Sequence, residues 1–303
     1  MSKIDRIDLY HVESPLDEPF WPSWIPGYPQ THVKFTLARL RTDDGLEGVA
    51  AGTAFSRERE GLGDLLGGFL LGVDAEDIDT VRMRLREASY LGWRNWWLEA
   101  AFWDLKGKIA GKPVYKLLQE QEETVLEAPI YASSGERRTI DRRQPWLDDI
   151  RSKGIKGLKI RVKDPDMRND TLILEQVRKE VGDDFVIGVD ANQGWPVSLV
   201  DPNPKWDLDY ATDFGLACDD LGLAWIEEPL DMHDWDGMAE LRRRVKTPIA
   251  GAELLGDWHE LRAVIEHECF DKIQPDAVFS SLTVAKQVMQ ACRDRDMHYT
   301  PHT

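Results

Sequence analysis

Cysteine is scarce: the 303-residue chain has three, Cys218, Cys269 and Cys292, far apart in sequence. An odd, scattered set builds neither a disulfide framework nor a thiolate metal site, so a reducing compartment is expected. Long apolar runs are lacking too, and no stretch suits a bilayer span. The start, Met1-Ser2-Lys3-Ile4-Asp5-Arg6, alternates charge with apolar residues and has no apolar leader core, which reads as cytoplasmic. Positive charge is in short supply: 38 Lys and Arg stand against 55 Asp and Glu, a net charge of −17. Phosphate binding needs a basic face, so this balance argues against nucleic acid and anionic membranes as partners. Low-complexity tracts and internal repeats are also missing.

What is present divides into two grammars. Up to residue 126 the chain reads as α+β, with strands expected over 4–12, 32–41 and 46–52. Thr42-Asp43-Asp44-Gly45 is a hairpin signal between the last two. Helical patterns follow over 58–71, 75–90 and 95–110, the last stopped by Gly111 and Pro113. Residues 15–30 are Pro-rich and carry Trp21 and Trp24; they form either an ordinary surface loop or an aromatic lid over a ligand. From 127 to 303 the pattern becomes repeated βα units. Strands are expected over 128–133, 157–162, 185–190, 223–227, 248–253, 271–275 and 298–302, with helices starting near Thr139, Arg168, Asp207, Asp234, Asp257 and Leu282. That alternation is the signature of a parallel sheet or barrel. A closed barrel needs about eight strands, so either the polypeptide continues past these residues or the barrel is open; the first is favoured.

Three of the apolar runs end in an acid. Asp190 closes Val186-Ile187-Gly188-Val189, Glu227 closes Leu223-Ala224-Trp225-Ile226, and Glu253 closes Pro248-Ile249-Ala250-Gly251-Ala252. Carboxylates at the C-terminal ends of parallel strands point into one mouth, where such folds keep their chemistry. A helix cap or a surface ion pair would explain one such acid, but three in succession repel one another unless a cation neutralises them. Hard oxygen ligands without paired His or Cys suit Mg²⁺ or Mn²⁺. Lys159 and Arg161 stand one residue apart on a single strand and so share a side. Asp276, just past one expected strand, and His302, at the end of the next, are placed to hydrogen-bond. Such a bond fixes the imidazole tautomer and raises its basicity.

In order, Lys159-Ile160-Arg161, Val189-Asp190-Ala191-Asn192-Gln193, Trp225-Ile226-Glu227-Glu228-Pro229, Gly251-Ala252-Glu253, Gln274-Pro275-Asp276 and Pro301-His302 resemble the enolase superfamily, specifically its mandelate racemase-like branch. The resemblance implies an α/β fold: a modified (β/α) TIM-type barrel under an N-terminal α+β capping domain. It implies Mg²⁺ on Asp190, Glu227 and Glu253, with Asn192 near the substrate carboxylate and Glu228 behind the ligands. It also implies a homo-oligomer acting on a small carboxylic acid by taking the proton α to its carboxylate. Many racemases of this branch carry Lys at both ends of the first motif. Here Arg161 takes the second place and effectively never deprotonates, which leaves His302 as base and Lys159 as a charge stabiliser. One base serves syn dehydration of an acid sugar, an aldonate or aldarate, to a 2-keto-3-deoxy acid. The alternatives are a racemase, epimerase or cycloisomerase with Lys159 as second base, and a non-catalytic scaffold. Trp21 and Trp24 are the candidate substrate contacts outside the barrel.

Overall fold

The computed structural model describes residues 2–53, 62–92, 94–119, 127–197, 203 and 205–302. Its first part is an antiparallel sheet in the order β1-β2-β3, formed by β1 (Ile4–Phe20), β2 (Gln30–Thr42) and β3 (Glu47–Thr53). The turn between β2 and β3 falls at the expected residues. Gly45 takes the left-handed φ of 89° that the turn demands, and Thr42 N–H donates to Leu46 O at 2.9 Å. Against this sheet lie α1 (Leu62–Leu70), α2 (Ile78–Ser89) and α3 (Glu99–Ala110), followed by the short α4 (Val114–Leu118). The three longer helices bury one apolar stripe each, with Leu66 and Leu70, Val81 and Leu85, and Phe102 and Leu105 meeting Ala38 and Leu40 of β2. β3 accepts close approach because it carries glycine: a Cβ at Gly52 would lie 2.2 Å from the Trp97 ring. Gly111, at φ 61°, ends α3 as expected. The helical pattern expected over 58–71 is represented by α1, its first residues lying outside the described set, as do residues 120–126 before the expected second domain.

Residues 15–30 depart from the expected loop. β1 runs on to Phe20, with Pro15 paired to His32 and Phe20 to Gln30, which leaves a loop of residues 21–29. β3 joins β2 only from Phe35 onward, so the outer parts of β1 and β2 form a two-stranded arm. Its residues are mostly exposed, and the in-out alternation that marks a half-buried strand is therefore missing from its sequence.

The second part alternates strand and helix: β4 (Ala132–Ser133), α5 (Ile140–Ser152), β5 (Gly157–Arg161), α6 (Met167–Val181), β6 (Val186–Asp190), α7 (Leu208–Asp220), β7 (Trp225–Glu227) and α8 (Trp235–Arg244). It continues through β8 (Ile249–Gly251), α9 (Trp258–Glu266), β9 (Lys272–Ile273), α10 (Ala277–Ser280), α11 (Leu282–Arg293) and β10 (His298–Tyr299). The seven strands form one parallel sheet in chain order, a curled, barrel-type sheet beside the separate capping sheet. Each strand is shorter than the range expected from sequence. Ile187, Val189, Ile226, Ile249 and Ile273 are buried at the strand centres, packed with Leu174, Phe214, Leu241 and Val288 of the helices. Full burial of each such side chain stabilises the fold by about 1.5–3 kcal/mol. Asp166, Asp207, Asp234 and Asp257 accept backbone N–H groups at the starts of α6, α7, α8 and α9, so part of the acid excess is capping. No described helix is long and apolar enough to cross a membrane.

Candidate active site

Parallel register brings the strand-end acids together. Asp190 at the end of β6 pairs in register with Glu227 at the end of β7, and Glu253 follows β8 by two residues. The backbone bends sharply there: Asn192, Glu228 and Ala252 hold φ values of 48°, 47° and 83°, a region non-glycine residues rarely enter. The neighbouring Gly188 leaves space for the Trp225 ring, whose Nε1 donates to Glu227 Oε2 at 3.2 Å. Gln274 Nε2 donates to the same oxygen at 3.1 Å. Lys159 Nζ donates to Glu227 Oε1 at 2.6 Å and lies 3.3 Å from Asp190 Oδ2. Arg161 pairs with Asp190, and the Asn192 N–H donates to Asp190 Oδ1 at 2.9 Å.

The expected Asp276–His302 contact is present. His302 Nδ1 lies 2.9 Å from Asp276 Oδ2, and a parallel bridge joins the two backbones. The other ring nitrogen, Nε2, sits 2.9 Å from Glu253 Oε2, a contact that sequence separation did not reveal. Trp195 Nε1 donates to the second Glu253 oxygen at 3.1 Å.

These contacts set the protonation states. Burial disfavours charge on Asp190, yet the adjacent Arg161 and Lys159 prevail and hold its pKa below the ordinary carboxylate value. Glu227 is pushed up by burial and by the Asp190 charge. Glu228 is pushed far higher, by burial and then by the charges of Glu253, Asp190 and Glu227. Desolvation favours the neutral amine of Lys159, but Asp190 and Glu227 overcome it and raise its pKa. Burial also opposes the His302 cation, while hydrogen bonds to Asp276 and Glu253 lift its pKa to about 10.

The donor set fits a divalent cation. Among the described residues, Glu227, Glu253 and His302 each offer a ligand atom, all within 4.8 Å of one another. Asp190, expected as the third carboxylate ligand, is not in that group; its Oδ2 faces Lys159 and Arg161, and its Oδ1 accepts the Asn192 N–H. Asp190, Glu227, Glu228 and Glu253 crowd together in the buried site, and among the described residues Glu228 Oε2 is buried with no hydrogen-bond partner. A cation beside them relieves their mutual repulsion. The carboxylate oxygens suit a hard ion such as Mg²⁺ or Mn²⁺, which does not need the imidazole.

A cavity of about 1090 Å³ opens over this cluster, and Lys159, Arg161, Asn192, Glu253 and His302 all line it. The capping sheet supplies Phe20 and Trp24 to its wall, and the Trp24 ring centroid lies 5.3 Å from the Arg161 guanidinium carbon. Ser23 Oγ donates to Asn192 Oδ1 at 2.8 Å, and Ser23 N–H donates to Gly135 O at 3.1 Å. Trp21 does not join them. Its side chain is outside the cavity lining and the residue is 50% exposed, although its N–H donates to Glu136 Oε1 at 2.8 Å. Of the expected substrate contacts, Asn192 and Trp24 therefore face the cavity and Trp21 does not. Gln274 stood inside a recognisable motif without an assigned role; Ser23, Trp195 and Gly194 gave no sequence signal.

Residues 145–303 match the family described as enolase C-terminal domain-like, and residues 17–119 match the mandelate racemase / muconate lactonizing enzyme N-terminal domain. The chain is 34% identical to the L-talarate/galactarate dehydratase of Salmonella typhimurium over 82% of its own residues, and it spans 62% of that relative's length. It is 29% identical to the 3,6-anhydro-alpha-L-galactonate cycloisomerase of Streptomyces coelicolor, over 98% of this chain and 81% of the relative. The crystal structure of the Salmonella dehydratase liganded with Mg and L-lyxarohydroxamate superposes with a TM-score of 0.85 at 30% identity, covering 99% of this chain and 78% of that one.

Proposed function

We propose, because this chain belongs to the mandelate racemase / muconate lactonizing enzyme family, that it dehydrates an acid sugar by removing the proton α to the carboxylate. The observation that carries the reading is His302, a single imidazole held between Asp276 and Glu253 at the edge of the cavity. With Glu253 engaged by the ion instead of by the ring, His302 would lose one of the two contacts that raise its pKa, and its Nε2 takes the proton from C2. The same imidazolium then protonates the departing hydroxyl at C3, releasing water and an enol that tautomerises to the 2-keto-3-deoxy acid. Asp276 at Nδ1 fixes the tautomer and stabilises the imidazolium formed in between. Lys159 and Arg161, both on the cavity wall, pair with the substrate carboxylate. Glu227 and Glu253 would hold Mg²⁺, the ion named in the related dehydratase structure, with Asp190 turning from Lys159 and Arg161 to complete the carboxylate set. When bound, the ion draws electron density from the substrate carboxylate and makes the α-proton acidic enough for a side-chain base.

A cycloisomerase or racemase is the second reading, favoured by the Streptomyces relative that covers nearly the whole chain. It needs a second base, and Lys159 is the candidate. The test is product and exchange together. The unmodified protein should form a 2-keto acid with Mg²⁺ and lose activity with EDTA. His302→Asn should lower turnover by on the order of 10³-fold and stop exchange of the substrate α-hydrogen with solvent deuterium. Persistent exchange in that variant points to Lys159 and the isomerase reading. Full activity in metal-stripped protein would sink the metal assignment.

A further inference from the structure

Ser23, in the loop between β1 and β2, is buried, and its backbone is anchored independently of its side chain. Its N–H donates to Gly135 O at 3.1 Å, and two residues earlier the Trp21 N–H donates to Glu136 Oε1 at 2.8 Å. Phe20 packs closely on the same segment, since a Cβ at Gly135 would lie 2.7 Å from its ring, and Trp24 lies over Arg161. These contacts hold the loop on the barrel without the Ser23 hydroxyl. That hydroxyl donates instead to Asn192 Oδ1 at 2.8 Å, and Arg161 Nη1 approaches the same oxygen at 3.4 Å. A guanidinium only donates, so the Asn192 atom it faces is the amide oxygen. The root of that side chain is fixed as well: Asn192 holds a φ of 48°, and its backbone N–H donates to Asp190 Oδ1 at 2.9 Å.

We infer that Ser23 is a positioning residue: it holds the Asn192 amide so that Nδ2 donates to an oxygen of the substrate. This rests on the cavity being the place where the α-proton is removed, as proposed above. An amide oxygen has two lone pairs, and Ser23 and Arg161 engage both. What Asn192 can still offer a molecule in the cavity it lines is its pair of N–H donors. The reversed amide would turn those N–H groups toward the Arg161 cation and present a lone pair to the oxygens of an acid. Arg161 is a poor sole keeper of the orientation, because its contact is long and it is also a partner of the incoming carboxylate. The Ser23 hydroxyl keeps the amide set while Arg161 exchanges partners. The capping domain thus acts on the substrate through a barrel residue, in addition to walling the cavity.

The experiment is a double-mutant cycle on the full chain with Mg²⁺, using a panel of C5 and C6 aldonates and aldarates. 2-Keto product and α-deuterium exchange are both read. On the best acid, Ser23→Ala should raise KM about fivefold, the loss expected for one hydrogen bond. Its far-UV spectrum and its Mg²⁺ affinity by calorimetry should be unchanged. Asn192→Gly accepts the positive φ, keeps the backbone N–H on Asp190 and removes the amide. It should raise KM by at least about tenfold, and Ser23→Ala added to it should cost less than about 1.5-fold more. An equal Ser23→Ala effect in both backgrounds means that the hydroxyl serves the loop and not the amide, and overturns the inference. An unchanged KM in the single Ser23→Ala variant overturns it too. Either result leaves the dehydratase reading standing. Exchange without a 2-keto product sets that reading aside, and the same cycle is then decided on exchange. No exchange with any acid of the panel overturns both.

Discussion

Asp276 divides one carboxylate between two tasks: Oδ1 accepts the Val278 N–H at 2.7 Å and starts α10, while Oδ2 faces the His302 ring. Glu228 is constrained differently. It is 3% exposed, and a Cβ on Gly194 would lie 2.6 Å from both its carboxyl carbon and Oε1. The buried Glu228 carboxylate must shift if Gly194 gains a side chain, and the charges beside it rearrange with it. Gly194→Ala should therefore weaken Mg²⁺ binding by about tenfold, measured by calorimetry, with an unchanged far-UV spectrum. Equal affinity would mean that Glu228 has room to adjust and plays no part in the metal site. This level was only half legible in the sequence. Asp190, Glu227 and Glu253 announce themselves because each closes a short apolar run. Gly194 and Glu228 meet across two loops, and the Glu253–His302 contact joins residues 49 positions apart by their numbers; neither leaves a local pattern.

At the scale of elements, the arm made by the outer parts of β1 and β2 carries residues 21–29 to the barrel mouth. Its tip is held by Ser23 on Asn192 and by Trp24 over Arg161. Trp24→Ala removes that ring contact and opens the cavity wall. Its KM should rise about fivefold, as expected for the loss of about 1 kcal/mol of cation–π contact. Trp21→Ala, at an exposed ring, should stay within about twofold of the unmodified protein. Equal effects of the two substitutions in steady-state kinetics would remove the distinction. The βα alternation was legible because buried parallel strands are short apolar runs separated by amphipathic helices. The arm was not, since Pro15, Asp17, Glu18 and Pro19 sit on a ribbon with neither face buried. Strand pairing there is a matter of backbone hydrogen bonds, to which composition is blind.

For the molecule as a whole, stability follows the groups whose pKa differs between folded and unfolded chains. Asp170 in the first turn of α6 is 1% exposed, and burial raises its pKa to about 6. An unfolded chain releases this proton near pH ~3.9, so the fold binds it more tightly. The resulting penalty is absent below about pH 4 and is fully present above about pH 6. Asp170→Asn keeps an oxygen to accept the Asp164 N–H and removes the charge. The variant should gain about 1–3 kcal/mol relative to the unmodified protein between pH 4 and 7, read from denaturant midpoints at fixed Mg²⁺. A parallel pair of stability–pH curves would contradict this.

The three thiols, unremarkable as chemistry, become useful as timekeepers. Cys218 lies in α7, Cys269 just after α9 and Cys292 in α11, all buried and all with burial raising the pKa, the last two to about 11. A thiol kept protonated and away from solvent is silent toward alkylating reagents. It reacts only while the helix above it is open, so its labelling rate is a clock for that opening. The protein thus carries three unengineered stopwatches around its outer layer of helices, each reporting how often its own sector of the barrel breathes.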